Sequence, residues 1–495
     1  MPQQALINEF HDDHFIGGQW VKSLSGEFTD LVNPATEQVW GRVPNANQAD
    51  IDAAVAAAGE AFRSGAWSGI GAAGRAAFML RFADELAARG DAMGSTITTE
   101  NGTPVSESAN AAAHSAGMLR YYAGLADYVD QDDRRPFPGT SGSVASGGSP
   151  TLPGGGGRYT QVFREPRGVC LLIAPWNFPL TLVMVKLAPA LIAGCTVVIK
   201  PASETPLDLR VLIDAAVAAG IPAGVINLVT GDRVAGGLMV QHPGISKVAF
   251  TGSTGAGRAI AAQCAQLLRP VTLELGGKSA AIVLPDADVA TFAGLLNRTC
   301  LRNTGQTCYN STRILAPRNL YGQVVDAVAA TVAATPIGDP FDPATVYGPS
   351  ASATQRDRVA EYIRIGIAEG ARVAVGGTGL PDGIDRGFYV RPTVFADVDN
   401  RMRIAQEEIF GPVLVVIPYD TEDDAVRIAN DSAYGLGGSI FTSDPERAVG
   451  IARRIETGSM GINFYGSNLA APFGGWKDSG LGMEYGPEAI GAYIR

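Results

Sequence analysis

From residue 168 onward, short apolar runs alternate with longer amphipathic ones, and this alternation constrains the fold more than any other feature. Residues 168–173 read as a strand, 181–193 as a helix, 196–199 as a strand and 207–219 as a helix. Further strands are expected at 225–228 and 247–250, each running into a glycine-bearing turn. Strands separated by helices cannot pair as hairpins, so they need crossover connections and build a parallel, doubly wound sheet. A second alternation follows, with helices at 287–301, 320–334 and 353–368 and strands at 311–316 and 372–375. A chain of 495 residues exceeds one ordinary core. The expected fold is therefore α/β, with two doubly wound domains in series.

The longest apolar stretch, 169–199, is interrupted by Pro175, Asn177, Pro179 and Lys186. A bilayer helix needs about 20 uninterrupted apolar residues, so this stretch reads as strand, loop, helix and strand. The N-terminus has neither a basic nor an apolar signal region, so no secretory signal is expected. Residues 15–20 suggest a hairpin, and helices are expected from residue 48 and over 75–89. Residues 134–158, rich in Pro, Gly and Ser, read as a surface loop or linker. The net charge of -11 argues against nucleic-acid binding and fits a cytoplasmic protein. Five scattered cysteines make a disulfide framework or structural zinc site unexpected. Of only four histidines, His11 and His14 fall in an acidic N-terminal tail and His242 in a loop, so neither a Ser–His–Asp triad nor a metal site is expected.

Two glycine-bearing runs carry the chemistry. Cys308 ends Asn303-Thr304-Gly305-Gln306-Thr307-Cys308, and Glu274 lies in Leu273-Glu274-Leu275-Gly276-Gly277-Lys278. A thiol and a carboxylate in such settings suit covalent catalysis followed by base-assisted hydrolysis. Cys170, Cys195, Cys264 and Cys300 read as inert core thiols. Asn177, between Pro175 and Pro179, has a side-chain amide suited to a developing oxyanion, or else caps its own turn. Phe250-Thr251-Gly252-Ser253-Thr254-Gly255-Ala256-Gly257 joins a strand to a helix, as a pyrophosphate site does, although a bare turn would look similar. Lys200 sits at a strand end, where it either meets a phosphate or ribose or is simply solvated. Glu407-Glu408 could bind ribose hydroxyls; no histidine supports a metal there.

Together these runs resemble the NAD(P)-dependent aldehyde dehydrogenase superfamily. The likeness extends from Phe15-Ile16-Gly17-Gly18 to Pro472-Phe473-Gly474-Gly475-Trp476-Lys477. It implies Cys308 as nucleophile, Glu274 as base, and Asn177 with the Cys308 backbone N–H as oxyanion hole. It implies Lys200 on the adenosine ribose, Ser253 on the pyrophosphate, Glu408 on the nicotinamide ribose and Phe410 in the nicotinamide pocket. The other cofactor contacts it implies are Ile173, Ala174, Pro175, Trp176, Ser203, Glu204, Gly231, Phe250, Thr251, Gly252, Leu275 and Gly276. Phe178, Tyr309, Tyr465 and Phe473 would line the substrate entrance. With no arginine adjoining these aromatics in sequence, and with the direction of Arg302 open, an apolar aldehyde is expected.

The resemblance further implies a Rossmann-like cofactor domain (1–131 and 160–275), a catalytic domain (276–459) and a small β bridging element (132–159 and 481–495). Residues 460–480 would return to the cofactor domain and substrate entrance. A homodimer or homotetramer is implied. The family continues into a last interface strand beyond Arg495, so either that contact is reduced or the chain is shortened. NAD-strict relatives carry Glu three residues after the lysine, where this chain has Ser203 and then Glu204. A serine does not repel a 2′-phosphate, so NADP is expected to be accepted beside NAD. Two alternatives stay open. An acylating or phosphorylating relative, which passes the thioester to another acceptor, would not need Glu274, and a silent structural or binding protein would not need Cys308, Glu274 and Asn177 together.

Overall fold

The computed structural model describes residues 9–131, 133–136 and 159–495. Most of the Pro/Gly/Ser-rich stretch expected as a loop therefore lies outside the described residues. At its edges the expectation is corrected: Asp133–Pro136 is a strand, paired antiparallel with Tyr159–Val162.

The first half opens on the expected hairpin, β1 (Asp13–Ile16) and β2 (Gln19–Lys22). Helix α1 (Gln48–Arg63) starts at a capping box in which Asn47 and Asp50 satisfy each other's backbone N–H groups. Helices α2 (Gly71–Ala87) and α3 (Gly90–Asn101) follow, the latter ending on left-handed Gly102. Then come β3 (Val169–Ile173), α4 (Pro179–Ala193), β4 (Thr196–Lys200), α5 (Asp208–Ala218), β5 (Ile226–Leu228), β6 (Lys247–Thr251), α6 (Thr254–Gln266) and β7 (Val271–Glu274). In the second half these are followed by β8 (Ala280–Val283), α7 (Val289–Thr299), β9 (Arg313–Pro317), α8 (Tyr321–Ala334), α9 (Ala353–Ala368), β10 (Arg372–Val375), β11 (Thr393–Ala396), β12 (Val413–Tyr419), β13 (Gly438–Phe441) and β14 (Gly461–Ile462). Strand β15 (Gly480–Leu481) crosses back to pair with β7.

The first sheet runs β15-β7-β6-β3-β4-β5-β1-β2, and its five central strands are parallel. From β3 the chain proceeds outward through β4 and β5, then returns to β6 on the other side. The strand order thus reverses between β3 and β6, which opens a crevice at their C-terminal ends. The second sheet runs β10-β11-β12-β9-β8-β13-β14 and is parallel except at its β10 edge. Each sheet carries an apolar layer on both faces. That explains why β3, β4, β6 and β9 are buried at every position rather than alternately.

Helix α4 is buried on nearly every side, which accounts for its membrane-like composition. Among the described residues no helix is long and apolar enough to cross a membrane. At the end of the chain, Tyr485, Ile490 and Tyr493 pack into the core of the first sheet, and Pro166 pairs antiparallel with Ile494. The expectation that His14 belongs to a polar tail is overturned. It is 1% exposed within β1, its Nδ1 lies 3.3 Å from the Thr230 backbone nitrogen, and burial lowers its pKa.

Candidate active site

The nucleophile loop connects α7 to β9. Three consecutive residues, Asn303, Thr304 and Gly305, have φ of 52°, 55° and 78°. Two of these are not glycine, so the turn is strained and must be held from outside. Thr304 Oγ1 accepts from Gly348 N at 2.9 Å, and Gln306 Oε1 accepts from Ala351 N at 3.0 Å. Asn310 Nδ2 donates to Arg302 O at 3.0 Å. This turn delivers Cys308 half-buried, at the wall of a recess shared with Gly277, Thr307, Thr312, Glu408 and Phe410.

Gly277 runs directly beneath the nucleophile. A Cβ there would lie 2.4 Å from Cys308 O, and one at Gly276 would lie 2.5 Å from Glu408 Oε2. The glycine pair after β7 therefore reflects the close approach of two other segments. Glu408 Oε1 accepts from Gly277 N at 3.0 Å. Burial pushes the Glu408 carboxyl up to about 7, against the lowering effect of that hydrogen bond and of nearby Arg358 and Lys278.

Glu274 ends β7 with its side chain buried and neither carboxylate oxygen hydrogen-bonded. Burial and the neighbouring Glu484 raise its pKa well above the carboxylate range, with Lys186 opposing. The Cys308 thiol is likewise raised, chiefly by burial and then by Glu408 and Glu274. Thiol and carboxyl thus share one electrostatic neighbourhood, and burial pushes both pKa values up. Behind them Lys186 Nζ contacts Glu484 Oε1 at 2.7 Å and donates to Thr251 Oγ1 at 2.6 Å. Neither Lys186 nor Glu484 was expected from sequence, although a lone lysine in an apolar run was a usable signal, because a buried charge needs a partner.

Asn177 is brought to the nucleophile loop. Its Nδ2 donates to Gln306 O at 2.9 Å, which leaves the second amide N–H available. Its own backbone is fixed by a closed hydrogen-bond circuit. Asn101 Nδ2 donates to Trp176 O at 2.8 Å, and Asn303 Nδ2 donates to Asn177 O at 3.0 Å. Thr103 joins the two asparagines, its Oγ1 donating to Asn303 Oδ1 at 3.2 Å and its backbone N to Asn101 Oδ1 at 2.9 Å. Asn101, Thr103 and Asn303 were missed as site residues. Asn101-Gly102 at a helix end was visible, but its reach across the fold was not.

The remaining expected residues fall into two groups. Ile173, Ala174, Pro175 and Trp176 leave β3, and Phe250, Thr251, Gly252 and Ser253 leave β6, so both runs reach the crevice where the strand order reverses. Ser253 is the N-cap of α6, and Leu275 and Gly276 continue β7 beside it. The Thr251 hydroxyl is already engaged by Lys186. Lys200 ends β4, buried, with Pro201 O at 2.9 Å as its hydrogen-bond acceptor. Burial drops its pKa to about 8. Ser203 Oγ donates to Gly231 O at 3.4 Å, and Glu204 is close enough to favour the charged lysine. A buried ammonium with donors to spare, a helix N-terminus and a free carboxylate oxygen on Glu408 together fit a dinucleotide. Phe410 holds φ of 62° and meets Trp176 edge-on at 5.4 Å. Gln355, on α9, secures that turn by donating to Ile409 O and Phe410 O, and Arg358 donates to Glu408 O. These two supports were also missed.

Tyr309, Tyr465 and Phe473 form a largely buried aromatic cluster against which Cys308 packs. The Tyr309 ring lies 4.9 Å from Tyr465 and 6.3 Å from Phe473. Phe178 is half-buried and is covered by the Arg302 guanidinium, 5.0 Å from its centroid. The direction of Arg302, open in the sequence, is thus toward these aromatics. Arg302 reaches them from six residues before Cys308 because the left-handed turn folds it back, and it is neutralised by Glu107.

The aldehyde dehydrogenase family model matches residues 20–495. The geranial dehydrogenase of Castellaniella defragrans is 52% identical over 98% of each chain. The 3-succinoylsemialdehyde-pyridine dehydrogenase of a Pseudomonas species is 38% identical over 96% of this chain and 95% of that one. An aldehyde dehydrogenase of Mycobacterium tuberculosis complexed with NAD+ superposes with a TM-score of 0.92 at 45% identity, covering 98% of this chain and 97% of that one. A mutant of aldehyde dehydrogenase C from Pseudomonas syringae, complexed with NAD+ and octanal, does so at 0.90 and 40%, covering 99% and 96%.

Proposed function

The chain belongs to the aldehyde dehydrogenase family, and we propose that it oxidises a neutral, apolar aldehyde to its acid, with NAD or NADP, through a covalent intermediate on Cys308. The observation that carries this reading is the pairing of a half-buried thiol with a buried carboxyl whose two oxygens are free, joined to Asn177 by the nucleophile loop. Because burial favours the thiol form of Cys308, attack needs a proton acceptor, and Glu274, in its ionised form, takes the proton from Sγ. Sγ then adds to the carbonyl carbon, and the developing oxyanion is met by the second Asn177 N–H and the Cys308 backbone N–H. NAD or NADP, when bound, would supply an oxidised nicotinamide as the acceptor for the hydride lost from that carbon, leaving a thioester on Sγ. Glu274 then gives up the thiol's proton to solvent and takes a proton from water, whose oxygen attacks the carbonyl carbon of the resulting thioester. Sγ leaves as thiolate and the acid is released.

Lys200 would hold the adenosine ribose, Ser253 the pyrophosphate and Glu408 the nicotinamide ribose, with Phe410 beside it. By this reading, 1–131 and 160–275 bind the cofactor, 276–459 carry catalysis, 132–159 and 481–495 bridge subunits of a homodimer or homotetramer, and 460–480 return to the substrate entrance. The aromatic cluster and the geranial dehydrogenase relative both favour an apolar substrate such as a terpenoid aldehyde. The test is a panel of aliphatic, aromatic, terpenoid and carboxylated aldehydes with each cofactor, followed by reduced-nicotinamide absorbance. Neutral aldehydes should be turned over with both cofactors. Preference for a carboxylated aldehyde would overturn the substrate reading.

A further inference from the structure

Arg302 occupies an unusual place. It touches Phe178, which directly follows Asn177, and Tyr309, which directly follows Cys308. One cation thus bridges the residues next to both the oxyanion amide and the nucleophile. Its Nη1 donates to Tyr309 OH, while Nε (at 2.8 Å) and Nη2 both donate to the same oxygen, Oε1 of Glu107. Glu107 comes from a different part of the chain, the short helical turn Val105–Ser108, and is half-buried like its partner. The pair is therefore partly shielded from solvent, where a charge-assisted hydrogen bond counts for more than on an open surface.

An unpaired guanidinium in this position would recognise a carboxylate, since its planar fork matches carboxylate geometry. An aldehyde bearing a distal carboxylate could then be held between Phe178 and Tyr309. Glu107 occupies that fork from within the protein, and its own charge also repels an incoming anion. Discrimination of this kind, where a built-in group rejects the wrong ligand, needs no contact with the right one. Neutral aldehydes are left with the aromatic surface alone.

We propose that Glu107 is a specificity-determining residue that masks Arg302 and so excludes carboxylated aldehydes from the Cys308 site in favour of neutral ones. The inference rests on the aldehyde-oxidation reading above and deepens it to the level of substrate charge. It concerns the ratio of two substrates, so it does not depend on the absolute rate of any variant.

The test uses the full-length enzyme as wild type, Glu107→Gln, Arg302→Gln and the double variant. Each is assayed at low ionic strength for kcat/KM with two aldehydes of matched chain length, one neutral and one carrying a terminal carboxylate. A charge-assisted hydrogen bond sets the scale, so Glu107→Gln should raise the carboxylated-to-neutral ratio about tenfold or more. The double variant should return the ratio toward wild type, and added salt should shrink the gain. Arg302→Gln alone, which leaves Glu107 unpaired, should lower the ratio below wild type and serves if Glu107→Gln folds poorly. An unchanged ratio in Glu107→Gln, or in Arg302→Gln, with neutral aldehyde still turned over, overturns the role of Glu107 alone. A wild type inactive toward every aldehyde overturns the parent reading and this one with it.

Discussion

Replacing Gly277 by alanine would place a Cβ 2.4 Å from the carbonyl oxygen of Cys308. Non-bonded heavy atoms settle at about 3.5 Å, so one of the two segments must yield by about 1 Å. The glycine has little freedom to retreat, because the added carbon also lies 3.3 Å from Leu436 Cβ, which is buried. The nucleophile peptide is the part that shifts, and it carries both Sγ and one proposed oxyanion donor. A displacement of about 1 Å at a reacting group costs about 100-fold in rate, while overpacking of this size costs about 1–3 kcal/mol of stability. Gly277→Ala should therefore lose about two orders of magnitude in kcat while remaining folded. Gly276→Ala is the control. Its Cβ meets Glu408 Oε2 at 2.5 Å, the far end of a side chain that can swing away, so the loss should fall on cofactor KM more than on kcat. Steady-state kinetics with a neutral aldehyde, thermal unfolding and the rate of Cys308 alkylation by iodoacetamide separate these effects. Wild-type kcat in Gly277→Ala would refute the claim that the close approach positions the nucleophile.

Asn303→Ala removes two bonds of the circuit around Trp176 and Asn177, and kcat should fall about tenfold or more with KM for the cofactor little changed; an equal effect on both parameters would indicate general loosening instead. Ser203→Glu should raise KM for NADP relative to NAD, since a carboxylate repels a 2′-phosphate, and equal exclusion of NADP by both proteins would defeat the proposed tolerance. The pH profile has two arms. Glu274 must be ionised to act as base but its pKa is raised by burial and by Glu484, so kcat should rise with pH, and Glu274→Gln should abolish steady turnover and also slow acylation of Cys308. Lys200 loses its charge as pH rises through about 8, so KM for the cofactor should climb above that pH, and Lys200→Arg should flatten the climb.

Much of the fold was legible because it rests on local pattern. Two βα alternations predicted two parallel sheets, and the strands at 168–173, 196–199 and 372–375 were found within a residue or so of their bounds. Strands β8, β11 and β13 were not foreseen; each is only four residues long and buried throughout, so it is too short and too uniform to show a period-two pattern. His14 misled for the opposite reason. Its acidic neighbours look like a tail, yet β1 is pinned between β5 and β2, which buries the ring.

The residue types of the site were set by the sequence alone. A thiol, a carboxylate and an amide in glycine-bearing runs announce their chemistry because reactivity belongs to side chains and because glycine is required where backbones pass closely. Only the tertiary structure decided how those groups are held. The circuit through Asn101, Thr103 and Asn303 spans residues about 200 apart in the chain, and the masking of Arg302 by Glu107 spans a similar distance. No local pattern encodes such pairs, since a hydrogen bond between distant residues exists only once the sheets have brought them together. The pKa values of Glu274 and Cys308 are raised by burial for the same reason: desolvation is a property of what surrounds a group, and the fold supplies the surroundings.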